Sequence, residues 1–236
     1  MIGDSWRWHQ SRYVADDDAL VVAIAARAGH PPQRPRSITA LGRPERVADL
    51  LTAHSADLLN DAQPQSVSTP PGTWERLPAA LRSRWDLPRQ GRWDWMWTEQ
   101  DPPASPHEHR VVQLDPSAHG AAISALQRVA LPGTHFGPER PGSVWFGIWH
   151  DEDDLAAVAG VYDWVRAAHL GGIGTHPDLR GYGLGGSLTA AITRAGVQRF
   201  GRVSLGVYAD NHRAKALYAR LGFVIGHEVD SRHPAG

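Results

Sequence analysis

The chain has 236 residues, 42% of them hydrophobic, with a formal net charge of −1 and no cysteine. That length and apolar content allow one large domain or two small ones, and the missing cysteines exclude disulfides, a cysteine nucleophile and thiolate metal sites. The near-neutral balance offers no concentrated positive field, so neither nucleic acid nor a membrane surface is expected as a partner.

The opening residues, MIGDSWRWHQSRY, lack a basic-then-apolar leader pattern. The longest apolar run, ALVVAIAA, is far short of a bilayer span. A soluble, cytoplasmic protein is the expectation. Residues 1–104 read as an N-terminal domain rich in Arg, Pro and Trp, with seven of the ten tryptophans before Gln100. Within it DDDALVVAIAARAG (16–29) has an Asp start and a Gly stop and reads as a helix. RPERVADLLTAH (43–54) reads as a second helix, with Pro44 near its first turn. QPQSVSTPPGT (63–73) is a loop by composition. RWDWMWTE (92–99) alternates as a strand does, which puts Trp93, Trp95 and Trp97 on one face, against a core or as part of a substrate wall. DPPASPHEH (101–109) reads as a linker.

Residues 109–236 read as a second domain with a regular pattern. HRVVQLD is a strand, and SAHGAAISALQRV is a helix with Ser117 as its cap. SVWFGIWH, DLAAVAGVYDWV and AHLGGIGTH are three strands, the first two joined by DEDD as a hairpin turn. A glycine-rich segment, a helix over SLTAAITRAGVQRF, the strand RVSLGVY, a short helix and the strand FVIGHEV follow. Strands first, then helix–strand–helix–strand, predict an α/β (α+β) fold with a mixed sheet covered by helices. Thirteen histidines, two of them His107 and His109, make no zinc-ligand pattern, and no metal is expected.

The chemistry concentrates in THPDLRGYGLGG, where Gly181, Gly183, Gly185 and Gly186 fall within six positions just before a helix. Amides at a helix start have no partner in the helix, and the helix dipole adds positive potential there. Glycines let an anion approach the backbone closely. A P-loop would need Gly-Lys-Ser/Thr, and no lysine is present. Gly181, Gly183 and Gly186 fit G-x-G-x-x-G, with Asp210 at the acidic position, which admits a dinucleotide-binding oxidoreductase. THPDL, however, separates the first glycine from its strand.

A third pattern fits better. Arg180-Gly181-Tyr182-Gly183-Leu184-Gly185 after His176-Pro177 resembles the Arg/Gln-x-x-Gly-x-Gly/Ala signature of the GNAT superfamily of acyl-CoA-dependent N-acetyltransferases. NHRAKALYARLGF resembles that family's second signature, with Asn211, Ala214, Leu217-Tyr218 and Leu221-Gly222-Phe223 in place. The resemblance covers about residues 109–229. HLGGIGTHPDLRGYGLG and LGVYADN are most similar to its glycine-N-acyltransferase-like branch, whose N-terminal half is often a diverged relative of the same fold.

The resemblance implies a mostly antiparallel GNAT-type sheet flanked by helices. It implies that Arg180 to Gly186 hold the diphosphate of acetyl-CoA, and that the pantetheine arm pairs with Ile173, Gly174 and Thr175. Asn211 would touch that arm. Tyr218 would be the general acid for the leaving thiolate, a role suited to a phenol. Where the family often carries a Glu base, counting back from Thr175 gives His169, whose imidazole (ordinary pKa about 6.5) is a competent base at neutral pH. His169 reads equally as a packed strand residue. Asp163, Glu139 and His135 are further base candidates. Gly171 and Gly172 would allow a bulge and a splay between central strands. His135, Phe136, Trp145, Trp149, Tyr162 and Trp164 would line the acceptor pocket or a core. The acceptor would be a small-molecule or peptide amine, and a homodimer is admitted. An acyl-CoA-binding regulatory module without catalysis is the other reading within the resemblance.

Overall fold

A computed structural model describes residues 11–25, 35–134, 136–140, 142–164 and 167–235. Residues 26–29 of the first expected helix, and His135, lie outside them. In chain order the elements are β1 (Arg12–Ala15), β2 (Ala19–Ala25), β3 (Pro35–Gly42), α1 (Pro44–Leu59), β4 (Ser66–Thr69), α2 (Thr73–Arg76), α3 (Ala79–Trp85) and β5 (Arg89–Thr98). Then come β6 (Val112–Leu114), α4 (Pro116–Ala130), β7 (Ser143–Trp149), β8 (Leu155–Trp164) and β9 (Ala167–Thr175). The chain ends with α5 (Leu184–Phe200), β10 (Val203–Tyr208), α6 (His212–Arg220) and β11 (Val224–His233). This is the expected mixed class, mostly antiparallel strands with flanking helices. The chain divides into two compact units.

One unit takes the described part of Asp4–Trp95 with Val207–Asn211 and Ile225–Gly236. In it β1, β2 and β3 pair antiparallel, β3 and β4 run parallel, and β4 pairs antiparallel with β11. The α1 helix starts at Pro44 as expected, buries Val47, Leu50, Leu51 and Leu58, and ends on Asn60 in the left-handed region at φ 50°. Those side chains join Val21, Ile38, Trp74 and Trp85 in a single core cluster.

Two sequence expectations fail in this unit. Ala19–Ala25 is a strand, not a helix. The aspartates before it form a turn rather than a helix cap, with Asp16 Oδ1 accepting from the amides of Asp18 and Ala19. Val21 and Val22 are both buried, and a β-branched run buried on both faces suits a strand between two partners. The expected loop at 63–73 contains β4, because β3 and β11 supply its backbone partners. Its Ser66 bonds Ser37 at 2.9 Å and its Ser68 bonds Ser231 at 2.7 Å.

The other unit takes the described part of Met96–Gly206 and His212–Val224. Its strands run in the order β10-β9-β8-β7-β6. The pairs β6–β7, β7–β8 and β8–β9 are antiparallel, and β9–β10 is parallel. The turn between β7 and β8 is the expected one, with Asp151 Oδ1 accepting from the amides of Asp153 and Asp154. The cap of α4 is Asp115, not Ser117; the Asp115 carboxylate accepts from the Ser117 amide at 2.9 Å. Ile123 and Leu126 of α4 pack with Leu114, Trp145, Leu155 and Val158 in a second core cluster. The expected linker is strapped down instead. Ser105 Oγ lies 2.6 Å from Ser187 Oγ, and Glu108 meets Arg194 at 3.4 Å.

The Trp row on β5 is a strand face, as the alternation indicates, but the opposite face carries the deeper burial. Asp94, Met96 and Thr98 are buried, whereas Trp93, Trp95 and Trp97 are half-buried. Trp93 Nε1 donates to Ser231 Oγ at 2.8 Å, and the Arg202 guanidinium lies 4.7 Å from the Trp97 ring.

Candidate functional site

The geometry that organises the site is a break in β9. Its parallel pairing with β10 runs from Val203↔Ala168 to Leu205↔Leu170 and ends there. On the other side, Val158 pairs with Gly174 and Gly160 with Gly171, so Gly172 and Ile173 together face one residue of β8. That is a β-bulge. Gly172 takes φ +60°, and a Cβ there would lie 2.8 Å from both Gln127 and Phe136 side-chain atoms. A side chain is excluded by conformation and by space together. The second half of β9, Ile173 to Thr175, thus leaves the ladder with β10, which is the splay expected from Gly171 and Gly172.

After Thr175 a short 3-10 turn, Pro177–Leu179, leads to the glycine segment. Gly181 and Gly183 have φ +98° and +80°, and Gly183 is the N-cap of α5 with no side chain to fill that role. The Ser187 amide bonds the Gly183 carbonyl at 2.9 Å, so the amides of Leu184, Gly185 and Gly186 precede the first helical hydrogen bond. Gly185 and Gly186 are glycines for closeness instead. A Cβ at Gly185 would lie 2.5 Å from Thr175 Oγ1, and one at Gly186 would lie 3.2 Å from Leu217 of α6. Tyr182 is exposed and Leu184 buried. The Arg180 side chain turns back, donating to the carbonyls of Thr175 at 3.3 Å and Ala130 at 3.2 Å. It closes the C-terminus of α4 and ties it to the end of β9.

Tyr218 sits on the buried face of α6 with Leu221, and Gly222 at φ +91° ends that helix as expected. The Phe223 amide bonds back to the Tyr218 carbonyl at 3.0 Å, a Schellman-type closure. Burial pushes the Tyr218 phenol up to about 12. Among the described residues no hydrogen bond holds its hydroxyl. Asn211 stands immediately before α6, its amide donating to the Tyr208 carbonyl at 3.0 Å.

His169 is half-buried on β9 between the buried Ala168 and Leu170. Strand alternation turns it to the face opposite Ala168. Its Nδ1 lies 3.1 Å from Ser204 Oγ, and its ring is 5.9 Å from that of Tyr162, its cross-strand neighbour. Of the other base candidates, Glu139 folds back so that its carboxylate occupies the space a Gly137 Cβ would need. His135 and the Asp163 side chain lie outside the described residues, as does the Trp164 side chain.

On the same face Phe136, Trp145 and Tyr162, expected to line a pocket or a core, pack together. Phe136 is buried on a floor of glycines, because a Cβ at Gly160, Gly171 or Gly172 would come within 2.1, 3.5 and 2.8 Å of its ring. Gln127 Nε2 donates to the Phe136 carbonyl at 2.8 Å and holds that loop to α4. The Phe136 ring lies 4.2 Å from Tyr162 and 5.0 Å from the fully buried Trp145. The Arg140 guanidinium stacks 4.0 Å from the Tyr162 ring centroid. Trp149 packs against the core cluster that holds Phe136 and Trp145, and meets His119 edge-on at 5.5 Å. The only local signal is glycine inside strands, and glycine does not say which ring it admits. A cavity of about 350 Å³ elsewhere in this unit is lined by Ala125, Leu126, His150, Asp154, His176 and Leu179. Of the expected site residues, none lines it.

The Acetyltransferase (GNAT) family model matches residues 92–223. A mycothiol acetyltransferase of Corynebacterium aurimucosum is 39% identical over 97 residues, 41% of this chain and 28% of that protein. The match thus spans less than a third of that relative. A solved GCN5-related N-acetyltransferase from Kribbella flavida superposes with a TM-score of 0.56 over 98% of this chain and 93% of its own, at 18% identity. A tandem GNAT protein from the clavulanic acid biosynthesis pathway does so with a TM-score of 0.50 over 94% of this chain and 85% of its own, at 19% identity. At these identities the solved structures show a shared fold. Among the described residues no helix is long and apolar enough to cross a membrane.

Proposed function

This chain belongs to the GNAT acetyltransferase family, and from that premise we propose that it is an N-acetyltransferase moving an acetyl group from acetyl-CoA to a primary amine. The observation that carries the reading is the junction of β9 with α5. Gly181 and Gly183 at positive φ deliver the amides of Leu184, Gly185 and Gly186 at the head of a 17-residue helix, beside a strand already bulged at Gly172. Those amides suit a diphosphate, since a hydrogen bond to a charged group contributes about 1.5–3 kcal/mol. The Arg180 side chain, engaged with two carbonyls, positions the loop. The 3-10 turn before Gly181 and the antiparallel pairing of β9 with β8 do not suit a dinucleotide fold, which needs a glycine turn directly after a strand of a parallel sheet.

When bound, the thioester supplies the acetyl group. The remaining tasks fall to this chain's residues. His169, held by the Ser204 hydroxyl, takes the proton the amine must lose before it can attack. Tyr218, kept neutral by its burial, gives a proton to the departing sulfur. The half-strand from Ile173 to Thr175, which has left the β10 ladder, pairs with the amides of the pantetheine arm. Residues 1–104 are proposed to be a diverged copy of the same fold, a reading supported by the likeness to a tandem GNAT protein over both halves.

The test is release of free thiol from acetyl-CoA in the presence of amines. The amine panel follows two leads: the glycine-N-acyltransferase-like branch that the glycine segment resembles, and the mycothiol acetyltransferase similar over 97 residues. Thiol release that depends on the amine is expected. Acetyl-CoA binding without any release would instead support a regulatory acyl-CoA-binding module.

A further inference from the structure

The geometry points to a second binding site, for a small alkylammonium cation, in the cavity that the proposed transfer chemistry leaves unused. That cavity measures about 350 Å³, within the range of small-molecule sites. It lies where α4, the β7–β8 turn and the 3-10 turn after β9 meet. From α4 come Ala122, Ala125, Leu126 and Val129, so one stripe of the helix faces it. Two of the four are alanines, and their short side chains leave the hollow open. Val129 is 51% exposed there, an apolar side chain with no cover. The walls are held in place before any ligand arrives. Arg180 ties the Ala130 carbonyl at the end of α4 to the Thr175 carbonyl at the end of β9. The His150 amide bonds the Asp154 carbonyl at 2.8 Å and closes the β7–β8 turn, and the His176 amide bonds the Ala156 carbonyl at 2.9 Å. Pre-formed walls spare a ligand the cost of ordering them.

The rim sets the class of the ligand. Its polar side chains are His150, Asp154, His176 and Asp178, and among the described residues no lysine or arginine lines it. Among those residues the Asp154 carboxylate has no ion pair, and that of Asp178 meets only His176 Nδ1, at 3.9 Å. Two carboxylates beside an apolar floor repel an anion and attract a cation. Among the described residues no three His, Asp or Glu side chains come together to hold a metal ion, which leaves the cation organic. No aromatic ring lines the cavity, so a quaternary ammonium finds no cation–π cage. A carboxylate takes N–H donors instead, and an alkylammonium presents them. Its alkyl chain covers Val129 and the alanine stripe while its charged end reaches the rim.

The experiment uses the full chain without acetyl-CoA, so that no acetyl transfer intervenes, and probes that share one chain length: hexylamine, hexanol and hexanoate. Ligand-observed NMR titration gives the Kd of each. Hexylamine is expected to bind about fivefold tighter than hexanol, as two exposed ion pairs provide, with hexanoate the weakest. Butylamine, shorter by two methylenes, should bind about tenfold more weakly than hexylamine. Ala125→Leu fills the hollow and should remove hexylamine binding. Asp154→Asn combined with Asp178→Asn changes only the exposed rim, and should bring hexylamine level with hexanol. Equal affinities for amine and alcohol in the unaltered chain, or tighter binding of hexanoate, overturn the cationic class. Hexylamine binding that survives Ala125→Leu puts the amine elsewhere, the acceptor site included, and overturns the second site. An amine preference unmoved by the rim variant overturns the role of the two carboxylates. All of these readings are made without turnover, so they stand apart from the test of acetyl transfer.

Discussion

Replacing Gly185 by alanine adds one methyl group to the first turn of α5, directly against the end of β9. The new Cβ would lie 2.5 Å from Thr175 Oγ1, where unstrained contacts begin near 3.5 Å. Thr175 is β-branched, so its hydroxyl has few alternative rotamers, and either the strand end or the helix start must move. Overpacking of this kind costs about 1–3 kcal/mol, which for a chain of this size lowers the melting temperature by about 2–4 °C per kcal/mol. The displaced atoms are the amides proposed to hold the diphosphate, and a misplacement on the order of 1 Å degrades such geometry by about 100-fold. Calorimetry should therefore show a rise in acetyl-CoA Kd of at least about tenfold. Thr175→Ala in the same chain removes the clashing oxygen and leaves Thr175 Cβ at 3.9 Å, an ordinary contact. The double variant should recover most of the loss, with a coupling of about 1 kcal/mol or more. Gly181→Ala is the control. A Cβ there meets nothing within 4 Å, but its φ of +98° strains any other residue, at about 1–2 kcal/mol. Thr175→Ala should not rescue it. Wild-type affinity in Gly185→Ala, or a loss indifferent to Thr175→Ala, would refute the reasoning.

Tyr218→Phe should lower turnover by about 100-fold while leaving acetyl-CoA affinity nearly unchanged; unaltered turnover removes Tyr218 from its role. The same variant tests the raised phenol. Because the folded value is pushed up to about 12 from 10, folding favours the protonated form, and this contribution is fully present below pH 10 and lost as pH rises toward 12. The loss should be about 3 kcal/mol across that window, read by urea unfolding at stepped alkaline pH, and absent in Tyr218→Phe. His169→Gln should lower kcat and displace the acidic limb of the pH–rate profile, and an unmoved limb would reject it as the base. Asp115→Ala removes the side-chain cap of α4 and should cost about 1 kcal/mol in chemical denaturation, with Ser117→Ala nearly neutral.

What the sequence revealed and what it hid follow from the range of the interactions. The glycine segment was legible because its requirements are local: positive φ at Gly181 and Gly183 before a helix, although that helix opens at Leu184 rather than at the expected Ser187 and takes Gly185 and Gly186 into its first turn. The face of α6 was legible for the same reason, since Leu217 and Tyr218 lie on one helix and Leu221 follows directly at its end. Ala19–Ala25 was misread because an Asp turn and an Asp cap use the same carboxylate–amide chemistry. Only the flanking strands decide between them. Ser66–Thr69 looked like a loop because its partners are β3 and, more than 150 residues away, β11. Glycines at 160, 171 and 172 read as weak strand residues. Their use, admitting Phe136 from a loop behind α4, depends on a register that no short window contains. The hold of Ser105 and Glu108 on α5 was hidden in the same way behind Pro-rich composition.

The most direct measurement compares two donors by titration calorimetry: acetyl-CoA, and S-acetylpantetheine, which has the same thioester arm but no diphosphate. If main-chain amides at the head of α5 grip the diphosphate, acetyl-CoA should bind tighter by on the order of 100-fold, and Gly181→Ala or Gly183→Ala should erase most of the difference. Equal affinities, or no heat from acetyl-CoA at saturation, would contradict it.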